Sequence, residues 1–232
     1  MCLSIRDTDK GEITKTIAFI PIRGNSKSIP FKNIKEMNGK PLFYWSMKAA
    51  EDCPEIDKVY IGVDNFKVLS SVNQYQSQKA EPIQVAHMDD DCMQETPMLA
   101  LAEKISFDRI VLMQATQPLT TPEDLTGGLK VHEDFDSVVS VCRQHRFIWE
   151  TWGSINYSPT YDPIARPRRQ NWDGLLIENG AFSITTKDAL LKSKCRISGY
   201  IGLYEMHPDT YFDIDEPEDW GIMEMLLKRR GN

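Results

Sequence analysis

Five short apolar, β-branched runs recur along the chain: Ile17 to Ile22, Val59 to Val63, Ile83 to Ala86, Ile110 to Gln114 and Ser137 to Val141. They read as buried strands and alternate with segments of helical spacing. One of these, Pro41-Leu-Phe-Tyr-Trp-Ser-Met-Lys-Ala-Ala50, starts with a proline suited to a first helical turn. The alternation predicts βαβ units and an α/β fold, a mostly parallel sheet flanked by helices. From about residue 143 to 180 the period is lost, and aromatics, prolines and arginines crowd together, which suggests an insertion leaving the α/β core. Helical spacing returns at Pro217 to Leu227. The expected organisation is a loose N-terminal arm over 1–16 and a single domain over 17–232 with an insert at about 143–180.

Length and composition narrow this picture. With 232 residues, 41% of them hydrophobic, the chain has enough apolar material for one sizeable core. Its net charge of -7 argues against broad nucleic-acid binding, which favours a basic domain, so the expected anionic ligands are small. Five dispersed cysteines with no C-x-x-C pair suggest neither a disulfide framework nor a zinc site, in keeping with a reducing cytoplasm. No stretch before Ile17 has the apolar core of a secretion signal, and no apolar run approaches the ~20 residues of a membrane span, so no membrane association is expected. The four histidines (His87, His132, His145, His207) show no metal-binding spacing.

The candidate chemistry begins where the first strand ends. Arg23-Gly-Asn-Ser-Lys-Ser-Ile-Pro-Phe-Lys-Asn33 carries three cations, Arg23, Lys27 and Lys32, with Gly24 and Asn25 at the strand exit. Glycine lets the backbone approach phosphate oxygens, and nearby peptide N–H groups donate to them. The loop matches neither G-x-x-x-x-G-K-[ST] nor G-x-G-x-x-G, so P-loop and dinucleotide-binding readings lose support. In a parallel sheet, ligands sit beyond the carboxyl ends of the strands, where Arg23 to Lys32, Asp64 and Gln114 to Pro118 fall. Asp213 and Asp215, one residue apart, project from an extended segment to one face and can hold a hard divalent cation such as Mg²⁺. The glutamine amide of Gln114 both donates and accepts, which suits a polyhydroxylated substrate. Arg166, Arg168 and Arg169 form a cluster apt for a carboxylate or phosphate.

Together, the first loop, Gln114-Ala-Thr-Gln-Pro-Leu119, Arg166-Pro-Arg-Arg-Gln170, Glu178-Asn-Gly180 and Asp213-Ile-Asp215 resemble the CMP-sialic acid synthetases, or N-acylneuraminate cytidylyltransferases. The resemblance runs from about Ile17 to the C-terminus. It implies a Rossmann-like nucleotidyltransferase fold with a dimerisation insert. The implied reaction joins CTP to a nine-carbon 2-keto-3-deoxy sugar acid, giving a CMP-sugar and pyrophosphate. By this resemblance Arg23 and Lys32 contact the nucleotide phosphates, with Lys32 the principal catalytic residue, and Gly24, Asn25, Lys27 and Asn33 complete the nucleotide loop. Gln114, Arg166, Arg169 and Asn179 serve the sugar, with arginines of the insert reaching a neighbouring subunit's site, and Asp213 and Asp215 hold Mg²⁺. The implied assembly is a homodimer or a dimer of dimers.

Three positions depart from the pattern: His87 replaces an arginine, Met98 a small hydroxyl residue and Thr120 an arginine. They leave other readings open: cytidylyltransferases for an eight-carbon ulosonate or another nonulosonate, and a catalytically silent nucleotide-sugar binder. The Arg166 to Gln170 segment disfavours the eight-carbon acid, and the acidic balance disfavours an RNA-binding module.

Overall fold

The computed structural model describes residues 15–24, 26, 28–85, 88, 92–152 and 156–231. Among the described residues the first element is β1 (Thr16–Ile22), followed by a small hairpin from β2 (Glu36–Met37) and β3 (Lys40–Pro41) ahead of α1 (Leu42–Asp52). Next come β4 (Lys58–Val63), α2 (Phe66–Val72), β5 (Ala80–Gln84), α3 (Glu95–Lys104), β6 (Arg109–Met113) and α4 (Pro122–Val131). β7 (Ser137–Gln144) leads out to the hairpin β8 (Trp149–Trp152) and β9 (Asn156–Pro159), and the chain returns in β10 (Leu175–Thr186). It ends with α5 (Lys187–Ser193), β11 (Ile201–Met206) and α6 (Pro217–Arg229).

Among the described residues, seven strands form one sheet in the order β11-β7-β10-β6-β1-β4-β5. β4, β1 and β6 run parallel, as do β4 with β5 and β7 with β11, whereas β10 runs antiparallel to both its neighbours. This is the α/β architecture that the alternation of apolar runs predicts. The run Ile17 to Ile22 is apolar throughout because β1 is covered on both faces. Ala18, Ile20 and Ile22 pack with residues of α1 and α4, while Ile17 and Phe19 pack with α3. Within α1, the buried positions Leu42, Phe43, Ser46, Met47, Ala49 and Ala50 make the single stripe expected of a helix lying on a sheet. A third apolar cluster joins the β2–β3 hairpin to α6 through Met37, Leu42, Trp220 and Met223.

Three boundaries differ from the sequence-based expectation. Pro41 stands one residue ahead of α1, as its N-cap in extended conformation, and closes the hairpin. The strand expected over 83–86 is β5 over Ala80–Gln84, an edge strand only partly buried, where the absent N–H of Pro82 is tolerated. Its pairing with β4 sets its position more than its apolar content does; Ala86 lies outside the described residues, as do 1–14 of the expected arm. Of the span read as an insert, residues 143–144 and 175–180 belong to β7 and β10, and the excursion between those strands covers 145–174. Arg143 closes its base, with two nitrogens on the Glu205 carboxylate at 2.7 and 2.6 Å and a third on the Asp173 carbonyl at 2.7 Å. Among the described residues, no helix is long and apolar enough to cross a membrane.

Candidate active site

A cleft of about 310 Å³ opens over the carboxyl ends of β1 and β6. Its walls include Arg23, Lys32, Asn33, Gln114, Asp213 and Asp215, which come from three well-separated stretches of the chain. Asn25 and Lys27 lie outside the described residues.

The first stretch leaves β1 at a close backbone approach. The Gly24 N–H donates to the Asp64 carboxylate at 3.0 Å, and a Cβ on Gly24 would lie 1.6 Å from the Asn65 amide. Glycine is thus required here by space, because Asn65 is itself fixed as the N-cap of α2, its Oδ1 accepting from Val68 N–H at 3.0 Å. Phe31 then adopts a left-handed backbone (φ 54°), uncommon for a bulky residue, and turns the chain into a 3₁₀ turn over Lys32–Ile34. Lys32 is mostly buried; its ammonium donates to the Ile214 carbonyl and stands 3.9 Å from the Asp215 carboxylate. Asn33 is buried beside it, with its amide donating to the Arg23 carbonyl at 3.4 Å.

The second and third stretches are joined by a residue whose role the sequence does not reveal. Gln117 is fully buried, and its amide donates to the carbonyls of Asn179 (2.6 Å) and Phe212 (3.1 Å). One side chain thereby ties the loop after β6 to β10 and to the Asp213 segment. The Gln114 backbone is held on both sides, its N–H on the Ala181 carbonyl at 3.1 Å and its carbonyl accepting from Ser46 Oγ at 3.0 Å, while its side chain lines the cleft.

Asp213 and Asp215 both line the cleft, with Lys32 between the first loop and this pair. Burial is the main influence on Asp213 and pushes its carboxyl up, with the negative charge of Asp215 acting in the same direction. A hydrogen bond from Thr116, the Ile214 N–H at 2.8 Å and the Lys32 charge oppose that rise. The arrangement concentrates negative charge where a cation can be held and positive charge where phosphate oxygens can be held.

Two groups of sugar-site candidates are placed elsewhere. Asn179 faces away from the cleft and braces it from behind. Its Oδ1 accepts from Ser140 Oγ at 2.7 Å, and its Nδ2 donates to Thr210 Oγ1 at 2.8 Å and to Met206 Sδ at 3.2 Å. This happens because the β10–β7 register slips between Glu178 and Ser183, a bulge that turns Asn179 inward and leaves Gly180 at φ 68° facing Asp213. Arg166 and Arg169 do not line the cleft of their own chain. Both are exposed on the excursion, where the Arg166 guanidinium stacks 4.0 Å over the Phe147 ring, itself stacked on Trp172. Met98 is fully buried in the core under β6, and Thr120 bonds the Gln117 carbonyl at 3.0 Å away from the cleft. His87 lies outside the described residues. Conversely, Ser183 and Arg196 line the cleft without any sequence pattern that marks them, and Glu178 lines it with no role assigned to it from the sequence.

Comparison with known proteins agrees with this geometry. A family profile described as cytidylyltransferase matches residues 17–226. The chain is 34% identical over 229 residues to an N-acylneuraminate cytidylyltransferase of Oncorhynchus mykiss, covering 96% of this chain and 52% of that protein. It is 33% identical over 220 residues to N-acylneuraminate cytidylyltransferase A of Danio rerio (92% of this chain, 51% of that protein). The N-acylneuraminate cytidylyltransferase of Streptococcus agalactiae serotype V is 26% identical over 215 residues (89% and 52%). The chain thus spans about half the length of these relatives. Among solved structures, a CMP:2-keto-3-deoxy-manno-octonic acid synthetase complexed with CTP superposes with a TM-score of 0.71 at 16% identity, over 94% of this chain and all of that one. The 4-diphosphocytidyl-2C-methyl-D-erythritol synthase of Anaerococcus prevotii gives 0.69 at 8% identity (93% and 97%). At those identities the likeness establishes a shared α/β nucleotidyltransferase fold. With a cationic loop at the end of β1, an aspartate pair across the same cleft and a profile match over nearly its whole length, the chain belongs to the cytidylyltransferase family.

Proposed function

We propose that this chain activates a nine-carbon 2-keto-3-deoxy sugar acid of the sialic type with CTP, forming a CMP-sugar and releasing pyrophosphate. The observation that carries the reading is the convergence of Arg23, Lys32, Asn33, Gln114, Asp213 and Asp215 on one cleft. The sialic-type acceptor is supported by the names of the relatives at 33–34% identity. In the reaction, the anomeric hydroxyl of the acid attacks the α-phosphorus as the bond to the departing pyrophosphate breaks. Lys32, held by the Ile214 carbonyl, offsets the negative charge that grows on the phosphate oxygens. Arg23 supports the same charge from the strand end, and Gln114 orients the acceptor's hydroxyls.

Asp213 and Asp215 supply hard oxygen donors suited to Mg²⁺. Among the described residues, no cluster of three or more histidine, cysteine, aspartate or glutamate side chains gathers to hold a metal alone. The remaining positions would therefore fall to phosphate oxygens and water, and the ion would neutralise phosphate charge. We place the chain in a reducing compartment such as the cytoplasm, a reading that rests on five dispersed cysteines with no C-x-x-C pair in the sequence.

The excursion over 145–174 supports a homodimer, since it exposes Trp149 and Ile164 and holds Arg166 and Arg169 away from their own cleft. In that assembly these arginines serve the partner's acceptor. The test is a pyrophosphate-release panel crossing four nucleotides with several ulosonic acids. Release with CTP and a nonulosonate is expected, with none from ATP or GTP; silence across the panel from a folded sample would remove the enzyme reading.

A further inference from the structure

The cleft continues past the phosphate loop. In the sheet order, β10 and β7 lie on the far side of β6 from β1, and the cleft follows them through Val139, Ser183 and Arg196. None of these residues belongs to the segments that carry the family resemblance. Ser183 pairs with Leu112 on one side and Val139 on the other, is only 5% exposed, and its Oγ has no hydrogen-bond partner among the described residues. A buried hydroxyl left unpaired is unfavourable, so one that lines a cleft points to a ligand atom. Arg196, in the turn before β11, also faces the cleft, and one of its nitrogens donates to Glu95 Oε1 at 2.6 Å. Glu95 is nearly buried at the start of α3 and also accepts from the Arg196 N–H at 3.4 Å.

We propose that Ser183 and the Glu95–Arg196 pair form a specificity subsite that reads uncharged oxygen atoms, hydroxyls or an amide carbonyl, on the part of the acceptor furthest from the reacting phosphate. The choice of uncharged groups follows from the pairing: Glu95 already neutralises the guanidinium, whose other N–H groups remain good donors without demanding a second anion. The cationic end of the cleft, by contrast, has Arg23 and Lys32 for phosphate. The inference rests on the sugar-acid reading of the site and adds to it the residues that select among such acids.

The test combines Ser183→Ala and Arg196→Met with three acceptors: N-acetylneuraminate, its counterpart with a hydroxyl in place of the N-acyl group, and the eight-carbon 2-keto-3-deoxy-octonate. For a preferred nine-carbon acid, kcat/KM should fall roughly 3- to 10-fold in Ser183→Ala and about 10- to 100-fold in Arg196→Met, through KM for the acid, with KM for CTP unmoved. The penalty should shrink with the octonate. Without ligand, Ser183→Ala should melt no lower than wild type, because it deletes an unpaired polar atom; a drop in Tm would mean that the hydroxyl is satisfied within the fold and would overturn its role. Equal penalties on all three acids, or none, would overturn the subsite while leaving the activity standing. Calorimetric titration with N-acetylneuraminate separates the remaining cases. If wild type binds the acid without turnover and both variants bind it more weakly, the subsite stands and the proposed reaction fails; no turnover and no binding of any of the three acids would overturn both.

Discussion

The role proposed for Lys32 depends on what holds the residue. Free in a loop it would be a solvated cation; here the left-handed Phe31 and the Ile214 carbonyl fix its ammonium over the cleft beside Asp215. A charge positioned before the reaction starts needs no rearrangement as the transition state forms. Lys32→Ala should therefore lower kcat by roughly two or more orders of magnitude with the fold intact, as judged by circular dichroism and turnover under saturating substrates. Near wild-type turnover would return Lys32 to a solvated role. His132 shows the opposite case, a titratable group with no part in the cleft. It is buried at the end of α4, its Nε2 lacks a partner among the described residues, and burial, aided by the nearby Arg109 charge, pushes its pKa below the ordinary 6.5. The unfolded chain then binds this proton more readily than the native one, so stability should fall as pH drops from 6.5 toward the lower native-state value. His132→Gln should flatten that part of a Tm-versus-pH curve; an unchanged slope would assign it to other groups.

At the scale of elements, the site depends on one irregular strand. β10 adds extra residues between Glu178 and Ser183, and the bulge turns Asn179 into the scaffold and Gly180 toward Asp213. A Cβ at Gly180 would meet Asp213 Oδ2 at 3.7 Å, an ordinary contact, but φ 68° is strained for any other residue. The Asp213 segment is in turn attached to the first loop, with Ser28 Oγ donating to the Asp215 carbonyl and Lys32 to that of Ile214. Because the two aspartates are proposed to act on Mg²⁺, Asp215→Asn, which keeps size and deletes charge, should lose turnover at low Mg²⁺ and recover part of it at high Mg²⁺. A purely structural Asp215 would instead lower Tm and leave the Mg²⁺ curve unaltered.

At the scale of the whole molecule, the excursion over 145–174 carries apolar side chains into solvent. Its aromatics pack on each other, Phe147 on Trp172 and Tyr161, yet Trp149 and Ile164 stay exposed. Light scattering should give about twice the 26.6 kDa of one chain, or a multiple of that dimer, and a mass near one chain would count against the assembly. If Arg166 or Arg169 acts across the interface, mixing inactive Lys32→Ala chains with inactive Arg166→Ala or Arg169→Ala chains should restore part of the activity in heterodimers. No rescue despite confirmed subunit exchange would place the arginines' action in cis.

What the sequence determined by itself was local. Apolar runs marked β1, β4, β6 and β7, helical spacing marked α1 and α6, and the spacing of Arg23, Gly24 and Lys32 or of Asp213 and Asp215 announced charge of the right kind, because periodicity and composition act over neighbouring residues. The tertiary structure decided what depends on partners far along the chain. β5 takes its place from pairing with β4, and β10 runs antiparallel between β6 and β7 inside a span that reads as an insert. Asn179 sits in a sequence motif of the site but is consumed by Ser140, Thr210 and Met206, whereas Gln117, an ordinary loop glutamine by sequence, clamps three segments together. Glu95 and Arg196 lie a hundred residues apart and meet only because α3 and the turn before β11 border the same cleft. A buried polar group must find its partner in space, and the one-dimensional pattern records which groups need partners without recording which ones they find.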